Sequence, residues 1–420
     1  MKKVSKLLAA LTIFGLMTGC GGFGGSNTNT GASDETQNLA NAPEGITITL
    51  KVRDKLKLYL CGTGAATIDW GDNSPADSIM LTPFSLYSWG PYDFEHQYPD
   101  VSEYIVRITG DDITGLTCAN RNVKNLILNL TTLTTLDCSA NQLTTLNVSK
   151  NTKLEELYCQ YNQITTLDVS KNTDMRKLSC NDNHLTTLDV SKNTAMEILY
   201  CGNSELTTLD VSKNTAMEIL HCENSELTTL DVSENTNLKE LYCGNNQLTS
   251  LDVSENTNLK ELYCGNNQLT SLDVSENTAL TNLSCRNNQL TTLDVSTNTA
   301  IKYLYCEENQ LTTLDVSKNT ALTNLTCRNN QLTTLDVSTN TAIKYLYCEE
   351  NQLTTLDVSK NTALESLYCN DNQLSAEALN ALFRSLCNNK ETKRIRIGNN
   401  TGTDACDRNI AEKKKWNIIE

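Results

Sequence analysis

Residues 143–163 read Leu143-Thr144-Thr145-Leu146-Asn147-Val148-Ser149-Lys150-Asn151-Thr152-Lys153-Leu154-Glu155-Glu156-Leu157-Tyr158-Cys159-Gln160-Tyr161-Asn162-Gln163. The stretch divides into nested units of 11 and 10 residues, each of the form L-x-x-L-x-(V/C)-x-x-N. Twelve cysteines, at 138, 159, 180, 201, 222, 243, 264, 285, 306, 327, 348 and 369, recur at a step of 21. A fixed period of this size marks a solenoid, because one unit cannot bury its own apolar side and must stack on copies of itself. Eleven full repeats span 143–373, after a half repeat at 133–142. Along extended backbone the Leu at position 4 and the Val or Cys at position 6 turn inward, and positions 3, 5 and 7 turn outward. Stacking at the ~4.8 Å strand spacing predicts a rod ~55 Å long. Both halves of the coil read as strand-like, so equal rise on the two faces predicts a nearly straight rod.

The repeat resembles the leucine-rich repeat pattern L-x-x-L-x-L-x-x-N, in the nested 21-residue form found in bacteria. That resemblance implies a mainly β solenoid and a surface that binds another protein. The array also carries recent copies: 233–253 recur unchanged at 254–274, and 279–320 recur at 321–362 with Ser284 replaced by Thr326. A unique catalytic centre is hard to place among near-identical coils.

Cysteine in an exported chain ordinarily suggests disulfides. Here each ladder Cys takes the inward place held by Val in the sister unit, and in-register neighbours sit ~4.8 Å apart, beyond the ~3.5–4.5 Å Cβ separation of a disulfide. The expectation is a column of free thiols packed as small hydrophobes. A linear stack also lacks the converging ligands that a metal needs. Cys387 and Cys406 lie outside the ladder, and pairing between them stays open.

Two outer faces remain. One repeats Thr-x-Asp-x-Ser, with Asp168, Asp189, Asp210, Asp231, Asp252, Asp273, Asp294, Asp315, Asp336 and Asp357 in a column. Carboxylates ~4.8 Å apart repel, which is expected to raise their pKa or to recruit cations, although one flat column offers Ca²⁺ too few ligands. The other face carries Tyr158, Tyr200, Tyr242, Tyr263, Tyr305, Tyr347 and Tyr368, with Ser179, His221, Ser284 and Thr326 between them. Such an amphipathic strip suits an interface, and cross-strand ring packing explains it equally well.

Ahead of the repeats, Lys2, Lys3 and Lys6 precede an apolar run from Leu7 to Leu16, too short to span a bilayer. The run ends in Leu16-Met17-Thr18-Gly19-Cys20, which resembles a bacterial lipobox. The resemblance implies export, cleavage before Cys20, and lipid on its thiol. Gly21 rather than Asp follows, so nothing suggests retention at an inner membrane, and the outer membrane is the expected site. Residues 21–42, rich in Gly, Ser, Asn and Thr, read as a tether. Within 43–110, alternating runs such as Ile46–Val52 read as strands. Trp70-Gly71-Asp72, His96-Gln97-Tyr98 and a final Tyr104–Ile108 strand resemble a polycystic-kidney-disease-type (PKD-like) β-sandwich. It departs from that pattern at Asn73 and in an aromatic insertion at 84–92. Trp70 and Tyr104 are expected in its core, and Asp72 in a turn. The solenoid then occupies 111–374 and a small α/β cap 375–420, with Ser375 as N-cap and Leu379, Leu382, Phe383 and Leu386 on one helical face. A helix starting at Asp404 is expected to reach Trp416.

The 420 residues carry a net charge of −16, which argues against nucleic acid as a partner. His96, His184 and His221 sit in unrelated contexts, and no nucleophile or phosphate loop appears, so neither an enzyme, a cofactor nor a small-molecule substrate is expected. The leading expectation is an anchored protein-binding or adhesive rod. Glycan binding by the tyrosines is the alternative, and ice binding by the Thr-x-Asp-x-Ser face is disfavoured by its charged centre.

Overall fold

The computed structural model describes residues 44–52, 55–83 and 93–419. Cys20 with its lipobox, the tether at 21–42 and the insertion at 84–92 lie outside the described residues. No described helix is long and apolar enough to cross a membrane. Pro43–Glu420 forms one compact unit.

Six strands open it: β1 Gly45–Val52, β2 Lys55–Asp69, β3 Asp77–Met80, β4 Asp93–Gln97, β5 Ser102–Thr117 and β6 Val123–Asn129. β5 pairs antiparallel with both β1 and β2, β6 joins the far side of β1, and β3 and β4 pair with β2. Alternation buries Ile46, Ile48 and Leu50 with Trp70, Tyr98 and Tyr104. The Trp70 indole donates to Asp77 (2.8 Å), and the Tyr98 hydroxyl to the Trp70 carbonyl (3.0 Å). Asp72 braces the following turn by accepting from the Ser74 backbone N–H (3.0 Å), and it lies 2.7 Å from His96 Nε2. Burial pushes the Asp72 carboxyl up, but the hydrogen bonds from Ser74 and His96 outweigh it and hold the group down to about 2. Gly71 (φ +76°) has no substitute in this turn, since a Cβ there would meet the Ile105 carbonyl at 2.3 Å.

β5 does not stop at residue 110. Its last residues, Gly115–Thr117, pair in parallel with β7 Thr135–Asp137, so one strand serves both the antiparallel sheet and the first rung of the solenoid. The parallel ladder continues coil by coil through twelve three-residue strands, β7 to β18 Ser366–Tyr368. This β-structure is confined to the Cys-bearing half of each coil. The expected strand in the other half is therefore corrected, and with it the premise for a straight rod. Two consecutive turns, as at 149–153, replace a strand there because Asn151 and its equivalents fold back.

Asparagine joins the coils on both sides. In the Cys half, Asn162 donates to the Cys159 carbonyl of its own coil and the Cys138 carbonyl of the preceding one, both at 3.0 Å, and accepts from the Leu143 N–H (3.0 Å). In the other half Asn172, fully buried, donates to the Asn151 (2.7 Å) and Val148 (3.1 Å) carbonyls of the preceding coil. The residue before each Cys-half Asn is left-handed, from Ala140 (φ 53°) through Asn245 (φ 54°) to Asp371 (φ 53°). Asn tolerates that region better than most side chains, which explains the first Asn of Cys-x-Asn-Asn.

The Cys-half column is broken at Ser204 and Ser225, whose hydroxyls lie 3.1 Å apart, and Ser204 donates only to the Cys201 carbonyl of its own coil (2.8 Å) where Asn would reach the preceding one. Replacing both by Asn should supply acceptors for the Leu185 and Leu206 N–H groups. At about 1 kcal/mol per restored bond, the double variant should unfold at a higher midpoint than the parent in denaturant titrations. An unchanged or lower midpoint would mean that the serine pair already serves.

All twelve ladder cysteines are free and buried, and burial pushes their thiols up, Cys180 and Cys369 to about 12. The column begins one coil earlier than the 21-residue step indicates, at Cys118, which is 20 residues before Cys138 and equally buried. Cys387 and Cys406 are separate free thiols that donate to the Thr362 and Thr403 carbonyls.

The C-terminal segment closes the far end. α1 Ala376–Ser385 is capped by Ser375, whose side chain accepts from the Ala378 N–H (3.2 Å), and it buries Leu379, Leu382 and Phe383. β19 Lys393–Arg396 pairs with β18, and β20 Trp416–Ile419 pairs with β19. The expected helix from Asp404 to Trp416 is corrected. Only α2 Asn409–Glu412 is helical, Lys415 is left-handed (φ 62°), and Trp416 opens β20 with its buried indole donating to the Cys387 carbonyl (3.0 Å).

Candidate functional site

The Asp column does not behave as an array of strained carboxylates. Each Asp folds onto the Ser two residues ahead, as Asp168 does in accepting from the Ser170 N–H (2.9 Å). The Ser170 hydroxyl and N–H hold Asp168 below the usual carboxylate range, and the corresponding Ser does the same for Asp189 and onward to Asp336. Repulsion between neighbouring Asp groups is outweighed, so the expected rise in pKa is corrected. This face is turn chemistry.

The other face is built differently. The third residue of each three-residue strand points outward, and the in-register pairing aligns these residues across coils. Tyr158, Tyr200, Tyr242, Tyr263, Tyr305, Tyr347 and Tyr368 all fall in this column and are half-buried. Coil spacing close to a ring-stacking distance lets adjacent rings pack on one another. Tyr200 meets His221 edge-on (4.7 Å between centroids), His221 meets Tyr242 (4.0 Å), and Tyr242 stacks on Tyr263 (4.3 Å, 19° between planes). A second stack joins Tyr347 to Tyr368 (4.7 Å), and the Arg396 guanidinium covers the Tyr368 ring (5.1 Å). Ser179, Ser284 and Thr326 interrupt the column as small buried residues.

The rings are tied down by acids. The Tyr242 hydroxyl donates to Glu261 (2.7 Å) and that of Tyr158 to Glu156 (3.0 Å). Burial and those carboxylates push both phenols well above their usual range. Burial likewise pushes His221 down to about 4, despite a Glu240 oxygen at 4.0 Å, so the imidazole is neutral at pH 7. The result is two packed runs of rings, 200–263 and 347–368, whose edges and hydroxyls can make apolar contact and hydrogen bonds with a partner surface.

Residues 236–277 and 257–298 match the family model for leucine-rich repeats in two copies. A solved structure of the functional domain of InlJ from Listeria monocytogenes, which includes a cysteine ladder, is 34% identical over 68% of this chain and 74% of that one, with a TM-score of 0.52. The chain belongs to the leucine-rich repeat family. A leucine-rich repeat protein of Leptospira interrogans (24% identity, 70% of this chain and 79% of that chain, TM-score 0.61) shares the fold. So does an internalin of Listeria monocytogenes (24%, 73% and 86%, TM-score 0.58). A search of curated proteins found no significant match.

Two further tyrosines of this face lie outside the column of seven, in the column two positions before it. Tyr303, 38% exposed, and Tyr345 lie two positions before Tyr305 and Tyr347, on the same side of their strands. The Tyr-Leu-Tyr pattern at 303–305 and 345–347 carries that signal, since alternate residues share a face.

Proposed function

We propose that this protein is a non-catalytic leucine-rich repeat binding protein, exported and lipid-anchored through Cys20 to a bacterial membrane, the outer one. It engages another protein through the tyrosine face of its parallel sheet. The observation that carries the reading is the mutual stacking of Tyr200, His221, Tyr242 and Tyr263, which builds a rigid amphipathic strip at little entropic cost. The same stacking speaks against a sugar platform, because Tyr242 and Tyr263 turn their ring faces toward each other rather than outward. The N-terminal strands, with their resemblance to a PKD-like module, act as the spacer between anchor and rod.

Two measurements test this. A photocrosslinking benzophenone residue placed at Tyr242 in the full chain should yield protein adducts on intact cells, and one at Asp252 on the other face should not. Equal yields from both positions would remove the face assignment. A fatty-acid analogue should label the wild type and not Cys20→Ser. Labelled Cys20→Ser would remove the anchor.

A further inference from the structure

The tyrosine face ends at the C-terminal cap in a cleft of about 480 Å³, lined by Tyr345, Tyr347 and Tyr368 from the coils and by Glu391, Lys393 and Arg394 from the cap. Two of the charges that line it are already engaged. Glu365 is held by Lys344 (3.7 Å) and by the Tyr345 hydroxyl (3.0 Å). Lys393 donates to the Leu364 carbonyl and lies 5.9 Å over the Trp416 ring. Arg394 and Arg396 are different. They are alternate residues of β19, in register with Ser366 and Tyr368, and so project on the sheet's outer face about 6.6 Å apart. Both are exposed, and among the described residues neither guanidinium lies within ion-pair distance of a carboxylate, Arg396 meeting Glu349 only at longer range. The Arg396 guanidinium lies over the Tyr368 ring (5.1 Å), and its planar fork of N–H groups suits two parallel hydrogen bonds to a carboxylate.

We propose that this cleft docks an acidic segment of a partner protein, whose Asp or Glu carboxylates are clamped by Arg394 and Arg396 beside the three tyrosines. The proposal rests on the protein-binding reading above and names the chemistry at one end of that face. Charge complementarity selects the occupant. On a chain of net charge −16, two adjacent unpaired guanidiniums are a place where an acidic segment is accepted rather than repelled. Of the acids near them, Glu365 is already held by Lys344 and Tyr345, Glu349 meets Arg396 only beyond ion-pair distance, and Glu391 lies across the cleft. An acidic sugar would also offer carboxylates, but both faces of Tyr368 are covered, by Tyr347 and by Arg396, which leaves that ring no surface for stacking a sugar.

The test uses the full chain in detergent with a fluorescein-labelled peptide, (Glu-Gly)6, and (Lys-Gly)6 as its control. The acidic peptide should bind and the basic one should not. Arg394→Gln with Arg396→Gln should weaken binding by about tenfold or more, and Arg396→Lys by a smaller factor, since it keeps the charge and loses the planar fork. Asp252→Asn, on the other face and away from the cleft, should leave peptide binding unchanged. Binding indifferent to the double Arg variant, absent in the wild type, or equal for the basic peptide overturns the proposal. So does polygalacturonate binding more tightly than the peptide at equal carboxylate concentration. If benzophenone adducts at position 242 persist while the peptide fails, this inference falls and the face reading stands; the reverse pattern separates them the other way.

Discussion

Cys264→Asp should unfold or nearly unfold the solenoid, at a cost of about 3–5 kcal/mol, whereas Cys264→Val should cost less than about 1 kcal/mol. Cys264 is fully buried between Cys243 and Cys285, and desolvation already drives its thiol far above the usual range. A carboxyl in that place has no cation or free donor to meet, and it must be buried protonated or force the coils apart. Val is already the inward residue at the equivalent point of the sister unit, as at Val253 and Val274. Cys264→Ser should fall between them, at ~1–3 kcal/mol for a poorly bonded hydroxyl. Denaturant midpoints rank the three variants. A thiol reagent should leave Cys264 untouched in folded protein and label it after denaturation. A native Cys243–Cys264 disulfide, seen by mass spectrometry, would overturn the geometry on which the ranking rests.

Removing 375–420 should lower the melting midpoint by about 10 °C or more, while removing 254–274 should shift it by no more than about 3 °C. The truncation takes away α1, α2, β19 and β20, with Leu379, Leu382, Phe383 and Trp416, each nearly or fully buried. Each such side chain is worth ~1.5–3 kcal/mol in burial, and their loss also opens the edge of β18 to pairing with other chains. The internal deletion removes a coil identical to the one before it, 233–253. The coil of Cys243 then meets that of Cys285 just as the coil of Cys264 did, and every column, including Tyr242 against Ser284, is restored. Thermal melts that rank the two deletions the other way would mean that 375–420 does not protect the array.

How much of this was legible beforehand follows from what repeats. The 21-residue step determined the solenoid, its inward Leu, Val and Cys positions, both Asn columns and the line of seven tyrosines, because a side chain in a stack has the same neighbours one period away. The Ser375 cap and the apolar face of α1 were legible for the same local reason: capping and a 3.6-residue period act within one turn. Where the periodicity stops, so does the inference. Cys118 is hidden from the 21-residue step because β5 enters the ladder one residue out of step, and Trp416 joins a strand because pairing with β19 overrides the local helical pattern. Spacing alone leaves the Asp residues looking mutually repelling, because the Ser N–H groups that hold them depend on how the turn folds.

By itself, then, the sequence determined which residues share a column, since that depends only on spacing. Only the tertiary structure decided what each column does. Strand hydrogen bonds form in one half of the coil and asparagine side chains replace them in the other. Tyr242 and Tyr263 turn their faces to each other, whereas Arg394 and Arg396 reach the surface with no carboxylate at ion-pair distance. Those outcomes turn on distances of a few ångströms between residues 19 to 28 positions apart, which no local pattern encodes.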